Sequence, residues 1–203
     1  MSHHAFFSAL AMALTLVGFY PYLRGILSGS TRPHVFSWVI WASTTLVVFS
    51  AQIDAGGGVG AWPIGVSGVL TTLIAVLAWR RRGDVSITRG DWVFLVLALS
   101  SLPLWYLTDD AMWAVVVLTV VDLLGFGPTF RKVCAAPQSE SCGFYGLFAL
   151  RNAAVVLALE QHSVTTVLFP AAIGTACIGV MLLIAYGRRR AAVRARRHCY
   201  DPR

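Results

Sequence analysis

Two short stretches decide the fold: Gly18-Phe19-Tyr20-Pro21-Tyr22-Leu23-Arg24 and Gly125-Phe126-Gly127-Pro128-Thr129-Phe130-Arg131. Both read G-F-x-P-x-x-R, both end an apolar run, and they lie 107 residues apart. The same offset, without a gap, pairs Trp62-Pro63 with Phe169-Pro170. It also pairs Trp79, Arg81 and Arg82 with Tyr186, Arg188 and Arg189. Glycine, proline and arginine punctuate membrane helices, so an unbroken register of all three marks a duplication rather than a chance likeness of apolar segments.

Around this repeat the 203-residue chain is strongly apolar, with 57% hydrophobic and 12% charged residues and a mean hydropathy of +0.71. Soluble domains run nearer 45–50% apolar and about 25% charged. The composition excludes a soluble globular enzyme, a disordered chain and a coiled coil. A membrane-spanning helix needs about 20 mostly apolar residues. Seven runs qualify, at 5–27, 35–53, 59–79, 91–107, 111–130, 143–159 and 164–187. The first has no Lys or Arg before it and reads as a span, not a signal peptide. The loops between runs leave no room for an extramembrane domain.

The net charge is +7, but it is segregated. With seven spans, one side carries Arg24, Arg32, Arg80, Arg81, Arg82, Arg89, Arg131, Lys132, Arg188, Arg189, Arg190, Arg194, Arg196, Arg197 and Arg203. These are all but one of the 16 basic residues; the exception, Arg151, lies inside the sixth run. The opposite side shows Asp54, Asp109, Asp110 and Glu160. The positive-inside rule places the C-terminus in the cytoplasm and the N-terminus outside. Trp62, Trp105 and Trp113 then fall at the outer interface, and Trp79 and Trp92 at the inner one.

The expectation is an all-α membrane protein of seven transmembrane helices in a 3+1+3 parallel repeat. Residues 5–82 form the first three-helix unit, 83–110 carry the linker helix, 111–190 form the second unit, and 191–203 are a basic cytoplasmic tail. One helix between two three-helix units gives both the same orientation in the membrane.

In this plan the chain resembles the SWEET transporters and the wider PQ-loop clan. The resemblance covers nearly the whole chain in architecture. Pro21 and Pro128 match the proline of that clan's Pro-Gln pairs, while Tyr22 and Thr129 stand where the glutamine would be. The resemblance implies a transporter that moves a small polar or ring-shaped solute, a sugar or a nucleoside- or vitamin-like molecule, by alternating access, with the two units rocking about a central site. The 107-residue offset also pairs Trp38, Trp41 and Thr45 with Tyr145, Phe148 and Asn152. That set is similar to the W-x-x-W-x-x-x-N pattern of the nicotinamide riboside transporters, which share the 3+1+3 plan.

Three constellations could carry function. Spacings of three and seven keep Trp38, Trp41 and Thr45 on one helix face, and Tyr145, Phe148 and Asn152 on another. Two aromatics and one polar group per helix suit a flat or ring-shaped ligand; an interfacial belt with core packing is the competing reading. Asp122 and Arg151 each lie near the centre of a span, where mutual pairing is expected. Such a pair serves either as a staple or in coupling to substrate or protons. Gly18, Pro21, Gly125 and Pro128 suit an inner hinge or gate, with the glycines allowing close helix approach, or simply static packing.

Other signals are weak. Gly56-Gly57-Gly58-Val59-Gly60 lacks the Lys-Ser/Thr of a phosphate loop. Cys134 and Cys142 have no His partner at metal spacing. No Ser-His-Asp or paired-carboxylate grouping suggests catalysis, and no cofactor, metal or nucleic acid is implied. The expected partners are a small-molecule substrate and the lipid bilayer, with a homo-oligomer left open. The expected location is the cell membrane, in a bacterium the inner one. A non-transporting ligand receptor is the alternative function.

The topology is checked by thiol labelling in a cysteine-free background. A cysteine introduced beside Asp109 should react with an impermeant reagent from outside, and one beside Arg194 should not; the reverse pattern would overturn the helix count.

Overall fold

The computed structural model describes residues 2–31, 33–81, 89–138 and 140–200; Arg32, Arg82 and Arg203, and the expected unit boundary at 82–83, lie outside them. The described residues form eight α-helices: α1 (His3–Ser28), α2 (Val35–Asp54), α3 (Trp62–Arg80), α4 (Arg89–Thr108), α5 (Ala111–Gly125), α6 (Gly127–Ala135), α7 (Cys142–Ala158) and α8 (Val164–Tyr200). A short 3-10 turn, Gly58–Ala61, leads into α3. No strand occurs among the described residues.

Five stretches are long and apolar enough to cross a membrane: His3–Ser28, Val35–Asp54, Gly58–Arg80, Ala111–Ala135 and Val164–Ala191. Trp92–Thr108 and Cys142–Ala158 are apolar but shorter. The outer surface is correspondingly apolar, with Tyr106 at 86%, Leu107 at 78% and Trp79 at 72% exposure. The interior holds the polar groups instead, among them Thr15, Gln52, Ser67, Arg151 and Asn152. An apolar core that also takes in these polar groups, under an apolar outer surface, fits a membrane protein. Buried hydroxyls of Thr15, Thr71 and Thr119 donate to carbonyls four residues back, which satisfies them without water.

Six helices close into a ring through their neighbour contacts, in the order α1, α3, α2, α5, α8, α7 and back to α1. Within each group of three, the last helix stands between the first two: α3 between α1 and α2, and α8 between α5 and α7. The helix α4 lies outside the ring against α5 and α2. The helices α2 and α7 start 107 residues apart, with His34 and Ser141 as their N-caps. The helices α1 and α6 end at that same spacing, at Ser28 and Ala135.

Two features bear on the expected hinge and tail. The hinge is one-sided: α1 runs unbroken through Pro21, whereas the equivalent stretch stops at Gly125, turns at Phe126 and restarts at Gly127. Gly127 replaces the equivalent Tyr20, and two glycines beside a proline remove about 1 kcal/mol of helix propensity each, besides the hydrogen bond that Pro128 cannot make. The glycines also differ in purpose. A Cβ at Gly18 would stand 2.6 Å from the Phe148 ring, while at Gly125 and Gly127 it would meet nothing within 4 Å. Only Gly18 is a close-approach glycine. The basic stretch is helical as far as Tyr200, where α8 ends, and its alanines and arginines are strong helix formers.

Gly18→Ala should therefore lower the melting temperature in detergent, by about 1–3 kcal/mol of overpacking. Gly125→Ala should raise it, by roughly 0.5–1 kcal/mol of helix propensity. Equal effects of the two substitutions would contradict the packing described.

Candidate functional site

The ring encloses a cavity of about 570 Å³. Its polar floor is built around Arg151 of α7, which is 4% exposed. Its guanidinium donates from Nε to the Thr15 hydroxyl of α1 at 3.0 Å and from Nη1 to Asn152 Oδ1 at 3.1 Å. Nη2 donates to the Pro63 carbonyl at 2.7 Å and to the Ser67 hydroxyl at 2.6 Å, both on α3. Asn152 is fixed in turn by donating Nδ2 to the Phe148 carbonyl at 2.8 Å. One cation thus ties α7 to α1 and α3.

The walls are aromatic. Trp38 donates its indole N–H to the Tyr22 hydroxyl at 3.2 Å and meets Trp41 edge-on at 5.1 Å between ring centroids. Phe19 touches both Trp38 and Phe148, at 6.4 and 5.9 Å. Phe148 packs on Phe144 at 4.7 Å, and Phe144 on Tyr145 at 5.3 Å. A continuous belt of rings therefore runs from α2 through α1 to α7.

All six residues expected to bind a ring-shaped solute, Trp38, Trp41, Thr45, Tyr145, Phe148 and Asn152, line this one cavity. So do Gly18, Gly125, Asp122 and Arg151; Pro21 does not, and lies on an outer groove with Tyr20 and Arg24. The cavity brings Asp122 and Arg151 together as lining, but no ion pair joins them. Every acceptor of Arg151 is neutral, and the carboxyl of Asp122 has Thr44 beside it, whose hydroxyl donates to the Trp41 carbonyl at 3.1 Å, with Oδ1 buried and unpartnered. Thr44 and Thr15 are the residues that the 107 offset places opposite Arg151 and Asp122. Each charge meets the other half's threonine rather than the other charge.

Sequence reasoning missed Phe19, Phe126, Tyr22 and Thr129, which also line the cavity. The signal was present: all four sit inside the G-F-x-P-x-x-R motif, at matching offsets. It missed Ser67 and Thr15 as well, whose role depends on ring closure alone.

The cavity reaches one end of the ring and is shut at the other. Glu140, in the loop before α7 on the arginine-rich side, is part of its lining and accepts a 3.4 Å hydrogen bond from the Tyr145 hydroxyl. At the opposite end Ser8 donates to the Val59 carbonyl at 2.6 Å, and Gln52 to the Thr166 carbonyl at 2.7 Å. Glu160 accepts from the Val59 N–H at 3.2 Å. Gly60 lies so close to the Leu159 backbone that a Cβ would come within 2.5 Å of it. Gly56 and Gly58 hold positive φ values of 76° and 56° in the turn that makes this approach. The glycine run is thus part of a seal, and not a phosphate loop.

Comparison with protein-family models, curated proteins and solved structures finds no match to the chain.

Hydrogen bonds to a charged group contribute about 1.5–3 kcal/mol. A double-mutant cycle of Arg151→Gln with Ser67→Ala should therefore show a coupling of about 1 kcal/mol or more in detergent melting. The cycle with Asp122→Asn should show less. A larger coupling with Asp122 would restore the direct ion pair.

Proposed function

We propose that the protein is a multi-pass membrane transporter for a small solute, working by alternating access between two three-helix units. The observation that carries this reading is the cavity: aromatic walls, a few convergent polar groups, one end reaching the loops and the other sealed. Ligand sites have this composition and size. An access path from one side only is what a transporter presents in one half of its cycle.

The duplicated layout supports the same reading. The ring is made of two groups of three helices in like order, with α4 as the connector outside it. In this reading α4 and α7 also span, giving seven crossings, since 17 residues rise about 25 Å, the lower end of what a bilayer needs. The arginine-rich end faces the cytoplasm by the positive-inside rule. The cavity is then cytoplasm-facing, and the glycine-rich seal is the extracellular gate. Reopening the seal while closing the belt of Phe19, Trp38 and Phe148 completes the exchange. The break at Phe126 supplies a joint for that movement.

The arginines that pair across the repeat keep each unit rigid. Arg81 donates to the Leu27 carbonyl at 3.2 Å. Arg188 donates to the Pro137 and Glu140 carbonyls at 3.3 and 2.8 Å. Arg81 thereby ties α3 to the end of α1, and Arg188 ties α8 to the loop between α6 and α7.

Purified protein in liposomes should catalyse solute flux without nucleotide. Trp41→Ala and Asn152→Ala should each lower it by about tenfold, the equivalent of ~1.4 kcal/mol of lost contact. Trp105→Ala, away from the cavity, should leave it within about twofold. Solute binding without flux would make the protein a receptor instead.

A further inference from the structure

Two opposite charges border one cavity and do not use each other. In a membrane interior each would ordinarily be neutralised by the nearest opposite charge, since an unpaired one costs roughly 2.5–3.5 kcal/mol on insertion scales. Here Arg151 is held by neutral groups, and Asp122 has an oxygen with no partner. Arg151 is fixed by Thr15, Pro63 and Ser67, together with its neighbour Asn152. Asp122 has Thr44 as its neighbour.

Both charges keep hydrogen-bonding capacity in reserve. Arginine has five N–H donors, and the four bonds of Arg151 leave one on Nη1 without a protein acceptor. Asp122 Oδ1 is buried with no partner at all. Buried polar atoms in folded proteins are nearly always paired, and an exception calls for a cause. Most of the remaining lining is aromatic or aliphatic: Trp41, Phe148 and Ile173 are representative. Glu140 sits at the loop end of the cavity, engaged with Tyr145.

We propose that the solute is a zwitterion with an aromatic body, of the chemical class of a free aromatic α-amino acid. Its carboxylate docks on the Arg151 guanidinium, its ammonium on the Asp122 carboxylate, and its ring against Trp41 and Phe148. The charge balance decides between ligand classes. A guanidinium and a carboxyl group border the same cavity, so a ligand that carries both a carboxylate and an ammonium offers each of them a complementary partner. A purely anionic ligand leaves Asp122 without a partner, and a purely cationic one leaves Arg151 so. A sugar or nucleoside satisfies neither charge. The identity of the ligand rests on the transporter reading only for its passage across the membrane; its binding does not depend on that reading.

The test is binding to the purified full-length protein in detergent, by calorimetry and thermal shift. The probes are L-tryptophan, L-tyrosine and L-phenylalanine, with indole-3-propionate lacking the ammonium, tryptamine lacking the carboxylate, and glucose and uridine as uncharged solutes. At least one amino acid should bind, and the single-charge analogues should bind ten times more weakly or less. Asp122→Asn, which removes no helix-bridging hydrogen bond of Arg151, should weaken the amino acid tenfold and strengthen indole-3-propionate, inverting the preference. Arg151→Lys keeps the charge that Arg151→Gln removes, and should retain measurable binding of the amino acid where Arg151→Gln weakens it tenfold or more. Equal binding of indole-3-propionate and tryptophan, an unchanged preference in Asp122→Asn, or binding of none of the amino acids would overturn the proposal. Flux of glucose or uridine with no amino-acid binding would overturn it while leaving the transporter reading intact. Amino-acid binding without flux of any solute would do the opposite.

Discussion

The architecture depends on one buried cation. Arg151 lies in the ring of helices with all four of its hydrogen bonds spent on neutral oxygens, three of them on helices of the other unit. A guanidinium in this setting is tolerable only because its planar fork reaches several acceptors at once, which a lysine ammonium could not do with the same geometry. The bonds join α7 to α1 and α3, and so close the ring on that side. The corresponding position of the other unit is Thr44, whose neighbour is Asp122 on α5. The two seams of the ring are therefore alike in placement and unlike in chemistry: one is a bonded cation, the other a hydroxyl beside a carboxyl with an orphaned oxygen.

From that constraint the rest of the interior follows. The floor is polar because Arg151 has to be solvated by protein. The walls are aromatic because large rings cover area at little entropic cost and can rest edge to face around a space. The shut end is closed by backbone: glycines at the seal allow main chain to lie on main chain, where side chains would hold the helices apart. Small residues let membrane helices approach in this way, since no hydrophobic force distinguishes helix from lipid.

Much of this was legible in the sequence. The offset of 107 picked out Trp38, Trp41, Thr45, Tyr145, Phe148 and Asn152 as equivalent positions on one face of each helix, and the cavity collects all six. Local spacing suffices there, because a helix fixes which residues share a face. Phe19 and Tyr22 were equally visible in the repeated motif, but the motif reads as a hinge and its aromatics went unassigned. The partners of Arg151 were not legible. Asp122 is the obvious counter-charge by depth, yet Thr15 is 136 residues away in sequence and Ser67 84, and their contact with Arg151 exists only once the ring has closed. The one-sided break was written in Gly125 and Gly127, but an emphasis on symmetry between the halves concealed it.

That break has a mechanical meaning. The helix α1 is a stiff post, keyed to α7 where Gly18 admits the Phe148 ring. Its counterpart is interrupted at Phe126, and a Cβ on either flanking glycine would meet nothing within 4 Å. A machine with one elbow does not need interchangeable halves. The two motif-bearing stretches can then serve different tasks, one bearing load and the other flexing. The difference between Tyr20 and Gly127 is where that division of labour is recorded.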